Sequence, residues 1–154
     1  MGVVDKRLAE QGLVLPEAPA PAATYVPFTV HAGFVHISSQ LPMRDGTLAI
    51  KGKLGAGVSL EQGQEAARLC ALAILAQARV ACAGDLDRIG RVLRVGGFVA
   101  SAPSFTDQPK VINGASDLLV AVLGDAGRHA RAAVGVAVVP LDAAAEVNAV
   151  LAID

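Results

Sequence analysis

The segment from residue 59 to residue 82 constrains the fold of this chain more than any other. Ser59 begins it and Gln62 follows three residues later, which is typical of a capping box, where two side chains satisfy free backbone groups at a helix start. Apolar residues then recur at helical spacing, at Leu69, Leu72, Ala73, Ala76 and Val80. The pattern predicts a long amphipathic helix over 60–82, closed by Gly84, with one apolar stripe to bury.

Stretches rich in β-branched and aromatic residues flank this helix. Before it, 25–31 and 34–38 surround the compact turn Ala32-Gly33 and predict a β-hairpin, and a third short strand is expected near 47–50. After it, three further stretches predict strands, at 89–100, 131–139 and 146–153. Gly96-Gly97 lies inside the first of these and indicates a bulge or a close backbone approach.

A second amphipathic helix is predicted over 107–123, before Gly124. The element order is then β-β-(β)-α-β-α-β-β. Because each helix has one apolar stripe, the economical arrangement is an α/β (α+β) fold with one mixed sheet and both helices on a single face. The chain is 53% hydrophobic, so we expect other subunits to cover the opposite face of the sheet.

The N-terminal region differs from the rest of the chain. Residues 3–11 predict a short helix that ends at Gly12, and a proline-rich stretch follows. A chain of 154 residues has the size of one ordinary domain. We therefore predict a helix and proline-rich arm over 1–24 and a single α/β domain over 25–154.

Charge and hydropathy argue against two classes of partner. A net charge of −1 and a pI near 6.3 disfavour tight nucleic-acid binding, which needs a basic surface. The longest apolar stretch, 66–80, contains three polar interruptions, at Arg68, Gln77 and Arg79, so no run is long enough to span a bilayer. The start of the chain is charged where a signal peptide would be apolar. We expect a soluble protein of the cytoplasm.

Familiar chemical motifs find little support. Cys70 and Cys82 lie about 18 Å apart if both belong to the predicted helix, too far for a disulfide, so we interpret them as packing residues. The glycine-rich stretch 52–57 lacks the Lys-Ser or Lys-Thr pair of a phosphate loop. The three histidines are scattered along the sequence and form no metal-ligating pair. They are His31, His36 and His129. No metal and no cofactor are expected.

Two isolated charges near the C-terminus are more specific. The eight residues after Arg131 include no other ionisable group, and Glu146 is the only charge between Asp142 and the last residue. The guanidinium of Arg131 fits either an edge or helix-capping role or a bidentate carboxylate site. If the last two strands pair antiparallel about a turn near 141–142, Glu146 lies about 20 Å from Arg131. A site that uses both would then have to cross a subunit boundary.

Three stretches together resemble the RidA/YjgF family, at 21–42 (PAATYVPFTVHAGFVHISSQLP), 110–119 (KVINGASDLL) and 130–152 (ARAAVGVAVVPLDAAAEVNAVLA). The last contains the Arg, the Pro-x-Asp turn and a Glu fifteen residues after the Arg. The resemblance implies a chorismate-mutase-like fold and a homotrimer with clefts between subunits. Members with this Arg hydrolyse 2-imino acids released by pyridoxal-phosphate enzymes to 2-oxo acids and ammonia, whereas others are described as endoribonucleases or translation inhibitors.

By this resemblance Arg131 would bind the substrate carboxylate and Glu146 would orient or activate water. Four further residues would line the cleft, Tyr25, Ser38, Asn113 and Ala133. The sequence departs from the family pattern, because Ser39 replaces a Gly and Ala133 replaces a Cys in many members. The Cys position is thought to act through its backbone carbonyl, which Ala133 retains. The N-terminal helix resembles an extension of one divergent subgroup.

These observations predict a deaminase of reactive 2-imino or enamino acids, similar to the enzymes that act on 2-iminobutanoate and 2-iminopropanoate. Two alternatives stay open. One is a non-catalytic trimer that binds small carboxylate ligands. The other is an endoribonuclease or translation inhibitor, which the acidic pI disfavours.

Overall fold

The computed structural model describes all 154 residues and contains a five-stranded mixed sheet with two long helices on one face. Its helices and strands follow in the order α1 (Val3–Glu10), β1 (Phe28–His31), β2 (Phe34–Gln40), β3 (Met43–Arg44), β4 (Thr47–Leu48), β5 (Lys53–Leu54), β6 (Gly57–Val58), α2 (Leu60–Ala81), β7 (Ile89–Ala100), α3 (Gln108–Leu123), β8 (Ala130–Val136) and β9 (Ala145–Ile153). None of the helices combines the length and apolarity needed to cross a membrane.

The strand order of the main sheet is β1-β2-β9-β7-β8. All neighbouring pairs are antiparallel except β7 and β8, which are parallel. The antiparallel pairing of the last two strands, on which the expected separation of Arg131 and Glu146 depended, therefore does not occur. Helix α3 is the crossover that joins the parallel strands β7 and β8. Strand β8 lies at the sheet edge. The chain then crosses the end of β7, and β9 inserts between β7 and β2.

The predicted element boundaries are close to the observed ones, with three differences. Strand β1 begins at Phe28 instead of residue 25, and β8 ends at Val136 instead of residue 139. The short strand β4 pairs with β3 in a separate two-stranded hairpin and does not join the main sheet. The turn at Ala32-Gly33 has positive φ at both residues, as a tight hairpin requires.

Helix α2 forms the centre of the core. The predicted capping box is present, because the Gln62 N–H donates to Ser59 Oγ and the Ser59 N–H donates to Gln62 Oε1. Most of the predicted stripe is buried, but Val80 is 57% exposed and lies outside it. A Cβ at Gly114 would lie 2.1 Å from the Gln64 carbonyl oxygen, so this glycine allows α3 to approach α2 closely.

The two faces of the sheet have different environments. Along β9, alternate residues are fully buried beneath the helices, at Ala145, Val147, Ala149 and Leu151. The residues between them, Glu146 among them, lie on the opposite face, which we call the open face. Apolar side chains such as Phe34 (44% exposed) and Val134 (46% exposed) also lie there. The open face thus exposes apolar side chains of the kind that association between subunits buries, and its cover by other subunits stays a prediction.

Helix α1 packs against α3 and contributes Val4 and Leu8 to the main core. The Asp87 carboxylate accepts the N–H groups of Val3 at 2.8 Å and Val4 at 2.9 Å, so it caps the start of α1 from a distant part of the chain. These two hydrogen bonds hold the pKa of Asp87 below its usual range. At the other end, Arg7 donates to the Val122 carbonyl at the end of α3.

Cys70 and Cys82 are both free and buried. Cys70 lies within α2, and Cys82 is the residue that ends it. Burial raises the pKa of both thiols, and the effect is stronger at Cys70. Both groups are therefore poor thiolate nucleophiles at neutral pH.

Candidate functional site

Arg131 lies near the start of the edge strand β8, and its side chain packs against the first half of α3. Its Nη1 donates to Asn113 Oδ1 at 2.8 Å and to Ser116 Oγ at 3.1 Å, and its Nη2 donates to the Pro109 carbonyl oxygen at 3.2 Å. The structure thus brings together two residues that the resemblance placed in the cleft, Arg131 and Asn113.

The guanidinium of Arg131 retains capacity for a ligand. Of its five N–H donors, α3 engages two on Nη1 and one on Nη2, so one on Nε and one on Nη2 remain. Nε and Nη2 lie on one side of the planar group, and a carboxylate can engage two such donors at once. A cavity of about 280 Å³ lies beside it, lined by Asn113, Ser116, Val120, Arg128, His129 and Arg131.

Ser116 and His129 belong to this cavity, although the sequence analysis did not select them. The Ser116 Oγ lies 2.9 Å from His129 Nε2, and His129 Nδ1 lies 2.6 Å from the Gly127 carbonyl oxygen. Ser116 follows Asn113 by three residues on one helix face. His129 precedes Arg131 by two residues in an extended segment. The sequence contains both spacings, but only the packing of α3 beside β8 joins them.

Ala133 lies two residues after Arg131, on the helix-covered face of β8. It is half-buried and packs against the main core. On the neighbouring strand it pairs with Gly97, where a Cβ would lie 2.5 Å from the Ile112 side chain. We call Asn113, Arg131 and Ala133, together with Ser116 and His129, the arginine half-site.

Glu146 lies on the open face and belongs to a different environment. Glu146 on β9 pairs with Phe98 on β7, and Phe98 pairs on its other side with Val134 on β8. Glu146 makes no hydrogen bond or ion pair within the chain, and burial raises the pKa of its carboxyl group. An uncompensated, half-buried carboxylate beside apolar side chains is typical of a functional position.

Within one chain, Arg131 and Glu146 lie on opposite faces of the sheet. The backbones of the two residues lie about 14 Å apart, because two strand spacings and three residues along the strand separate them. This corrects the expected separation of about 20 Å, because that value assumed that β8 and β9 were adjacent. The two side chains cannot contact one small molecule within a single subunit.

Tyr25 and Ser38 lie at the open end of the hairpin, Tyr25 just before β1 and Ser38 late in β2. Ser38 Oγ donates to the Val26 carbonyl oxygen at 2.8 Å and fixes the segment that precedes β1. Tyr25 is partly exposed and lines a pocket of about 140 Å³ beneath the proline-rich arm, together with Ser39. We call Tyr25, Ser38 and Glu146 the glutamate half-site.

Asn148 links β9 to the hairpin on the open face. Its Nδ2 donates to Ser39 Oγ at 3.3 Å, and it lies two residues from Glu146 on the open face. The structure therefore brings Arg131 and Asn113 into contact, whereas Tyr25, Ser38 and Glu146 share no hydrogen bond with one another.

A comparison with protein families decides the relationship. Residues 5–152 match the family described as "YjgF/chorismate mutase-like, putative endoribonuclease". The chain belongs to the RidA/YjgF family. Among curated proteins, it is similar to Protein TCP17 of Trypanosoma cruzi, with 48% identity over 151 residues that cover 97% of this chain and 94% of that protein.

Similar solved structures confirm the fold. The protein Atu1372 of Agrobacterium tumefaciens, of unknown function, is 49% identical with a TM-score of 0.93, covering 99% of this chain and 93% of its own. A "putative endoribonuclease" of Shewanella oneidensis is 35% identical with a TM-score of 0.95, covering 99% and 100%. Escherichia coli TdcF with bound serine is 22% identical with a TM-score of 0.65, covering 90% and 94%, and shows similarity of fold alone.

Proposed function

We propose that this RidA/YjgF protein is a homotrimeric deaminase that hydrolyses 2-imino acids to 2-oxo acids and ammonia. The observation that carries the proposal is the setting of Arg131. Three of its N–H groups are held by α3, while Nε and Nη2 retain a donor each beside a cavity whose lining residues are mostly polar. A 2-imino acid offers the planar carboxylate that such a pair of donors binds.

Two features of the subunit support the proposed trimer. The open face exposes apolar side chains that association would bury. The arginine and glutamate half-sites lie on opposite faces of the sheet, so one substrate can contact both only if they come from different chains. A closed ring of three subunits would form three such clefts.

In the proposed reaction, Arg131 holds the carboxylate and Glu146 of a neighbouring subunit acts on water. The Glu146 carboxylate takes a proton as the water oxygen bonds to C2 of the protonated imine, which gives a carbinolamine. The same proton then moves to the amine nitrogen, the C–N bond breaks to release ammonia, and the ammonia takes the hydroxyl proton as the 2-oxo acid forms. The balance is one water consumed and one ammonium released.

The burial of Glu146 suits this role. Removal from water favours its protonated form, so the carboxylate is a stronger base than an exposed one. The protonated imine is itself electrophilic, so the site needs only to position the carboxylate and one water molecule.

The test is the release of ammonia from 2-iminobutanoate, which a dehydratase generates in place from threonine. We expect the wild-type protein to accelerate release. We expect Arg131→Lys to lose most of this acceleration, because an ammonium is a point charge without two parallel donors. A wild-type protein without effect, or an Arg131→Lys variant at the full rate, would contradict the proposal.

A non-catalytic carboxylate-binding trimer is the second candidate, since the same setting of Arg131 supports it. Calorimetry separates the two. Binding of 2-oxobutanoate that depends on Arg131, without any ammonia release from the imine, would favour the binding protein. RNA cleavage has support only from the names of relatives, and the net charge of −1 argues against it.

A further inference from the structure

A chain of hydrogen bonds runs behind Arg131, and its direction follows from chemistry. The Gly127 carbonyl can only accept, so His129 Nδ1 carries the proton of that 2.6 Å contact. In the neutral imidazole, Nε2 is then an acceptor, and the Ser116 hydroxyl donates to it at 2.9 Å. Arginine can only donate, so Ser116 Oγ accepts from Arg131 at 3.1 Å.

The histidine thereby fixes the orientation of the serine hydroxyl. A serine within a helix can turn its proton to the carbonyl four residues earlier, which would reorient its lone pairs. Because the proton of Ser116 is directed to His129, its lone pairs are available to Arg131. Asn113 and the Pro109 carbonyl hold the same guanidinium from other sides.

We propose that Ser116 and His129 are positioning residues that act through Arg131. They hold its Nη1 against α3, so that the donors on Nε and Nη2 face the cleft in the geometry a carboxylate needs. This inference rests on the proposed function, because it takes the 2-imino acid carboxylate as the ligand of Arg131. Neither residue has to touch the substrate.

The geometry also argues against a nucleophilic serine. A serine and a histidine at hydrogen-bond distance resemble a nucleophile and its base. Here the Ser116 oxygen accepts a hydrogen bond from a guanidinium, and this cationic donor lowers the nucleophilicity of the oxygen. The pair therefore supports the carboxylate site.

The first test compares serine variants by 2-oxobutanoate binding and by imine turnover. We expect Ser116→Ala to weaken binding and raise KM about tenfold, because one hydrogen bond to a charged group is lost. The value of kcat should change less than about threefold. Ser116→Thr keeps the hydroxyl and should stay within about threefold of wild type. Ser104→Ala, in an exposed loop, is the matched control and should change neither value.

The second test addresses the histidine. Gln can offer an acceptor close to the position of Nε2, so His129→Gln should bind 2-oxobutanoate nearly as wild type does. His129→Phe keeps the ring without the acceptor and should lose about as much as Ser116→Ala. Because both residues act along one path, the Ser116→Ala/His129→Phe double variant should be no weaker than either single variant.

A third measurement is independent of any ligand. Long-range ¹H–¹⁵N NMR of the wild-type protein should show the Nδ1–H tautomer of His129. Any of three outcomes would overturn this inference without affecting the proposed function. The first is an Nε2–H tautomer of His129, and the second is a Ser116→Ala variant that binds like wild type while Arg131→Lys has lost binding. The third is multiplicative effects in the double variant. A wild-type protein that neither binds 2-oxobutanoate nor hydrolyses the imine would overturn the proposed function, and this inference with it.

Discussion

At the scale of single residues, Glu146 has the most consequential environment. Burial raises its pKa in the folded subunit, so its contribution to stability is greatest at low pH. That contribution is lost as the pH rises from the ordinary Glu value, about 4.3, through the raised value of the folded state. The proposed catalysis has the opposite requirement, because only the ionised carboxylate can accept a proton from water.

We therefore expect Glu146→Gln to lower kcat by about a hundredfold or more while 2-oxobutanoate binding is largely retained. The wild-type kcat should rise with pH along a limb displaced above the ordinary Glu pKa, and the variant should lack this limb. The variant should also lose less stability than wild type as the pH rises through the same window. Glu10→Gln on α1 is the matched control. A variant with unchanged kcat and an unchanged acid limb would remove Glu146 from the mechanism.

At the scale of elements, α1 is attached by polar contacts that the sequence did not reveal. The Asp87 carboxylate accepts the Val3 and Val4 N–H groups and interacts favourably with the positive end of the helix dipole. These bonds lower the pKa of Asp87. The stabilisation is therefore present above the ordinary Asp value, about 3.9, and is lost as the pH falls through the lowered value of the folded state.

We expect Asp87→Asn to loosen α1, because the amide retains one acceptor oxygen but loses the charge and the second acceptor. Hydrogen exchange at the backbone amides of residues 4–10 should become faster in the variant. The difference from wild type should shrink as the pH is lowered through the Asp range. Asp45→Asn, in the turn between β3 and β4, is the control. Equal exchange in Asp87→Asn and wild type at neutral pH would show that the cap does not hold the helix.

The elements whose signals are local were predictable from the sequence. The capping box of Ser59 and Gln62 fixed the start of α2 correctly, and the β-rich stretch 89–100 coincides with β7. The position of β8 and β9 in the sheet was not predictable in this way. It depends on α3 acting as a crossover, and the short segment between the two strands resembles a hairpin turn in the sequence. Ser116 and His129 were missed for the same reason, since only tertiary packing connects them to Arg131.

At the scale of the whole molecule, the sheet keeps Arg131 and Glu146 of one subunit apart. Residues on one face pack against α2 and α3, and Arg131 reaches α3 from that side. Glu146 lies on the open face among apolar side chains that association would bury. If the proposed composite site is correct, a monomer should bind a carboxylate without hydrolysing an imine.

Activity in mixed trimers tests this composite site most directly. Arg131→Lys and Glu146→Gln subunits are mixed in equal amounts under conditions that allow exchange, and ammonia release from 2-iminobutanoate is measured, with sedimentation to verify trimers. If each site takes Arg131 from one subunit and Glu146 from its neighbour, every mixed trimer contains one intact site. About a quarter of the wild-type activity should then return. Activity that stays at the level of the separate variants in verified mixed trimers would contradict a site shared between subunits.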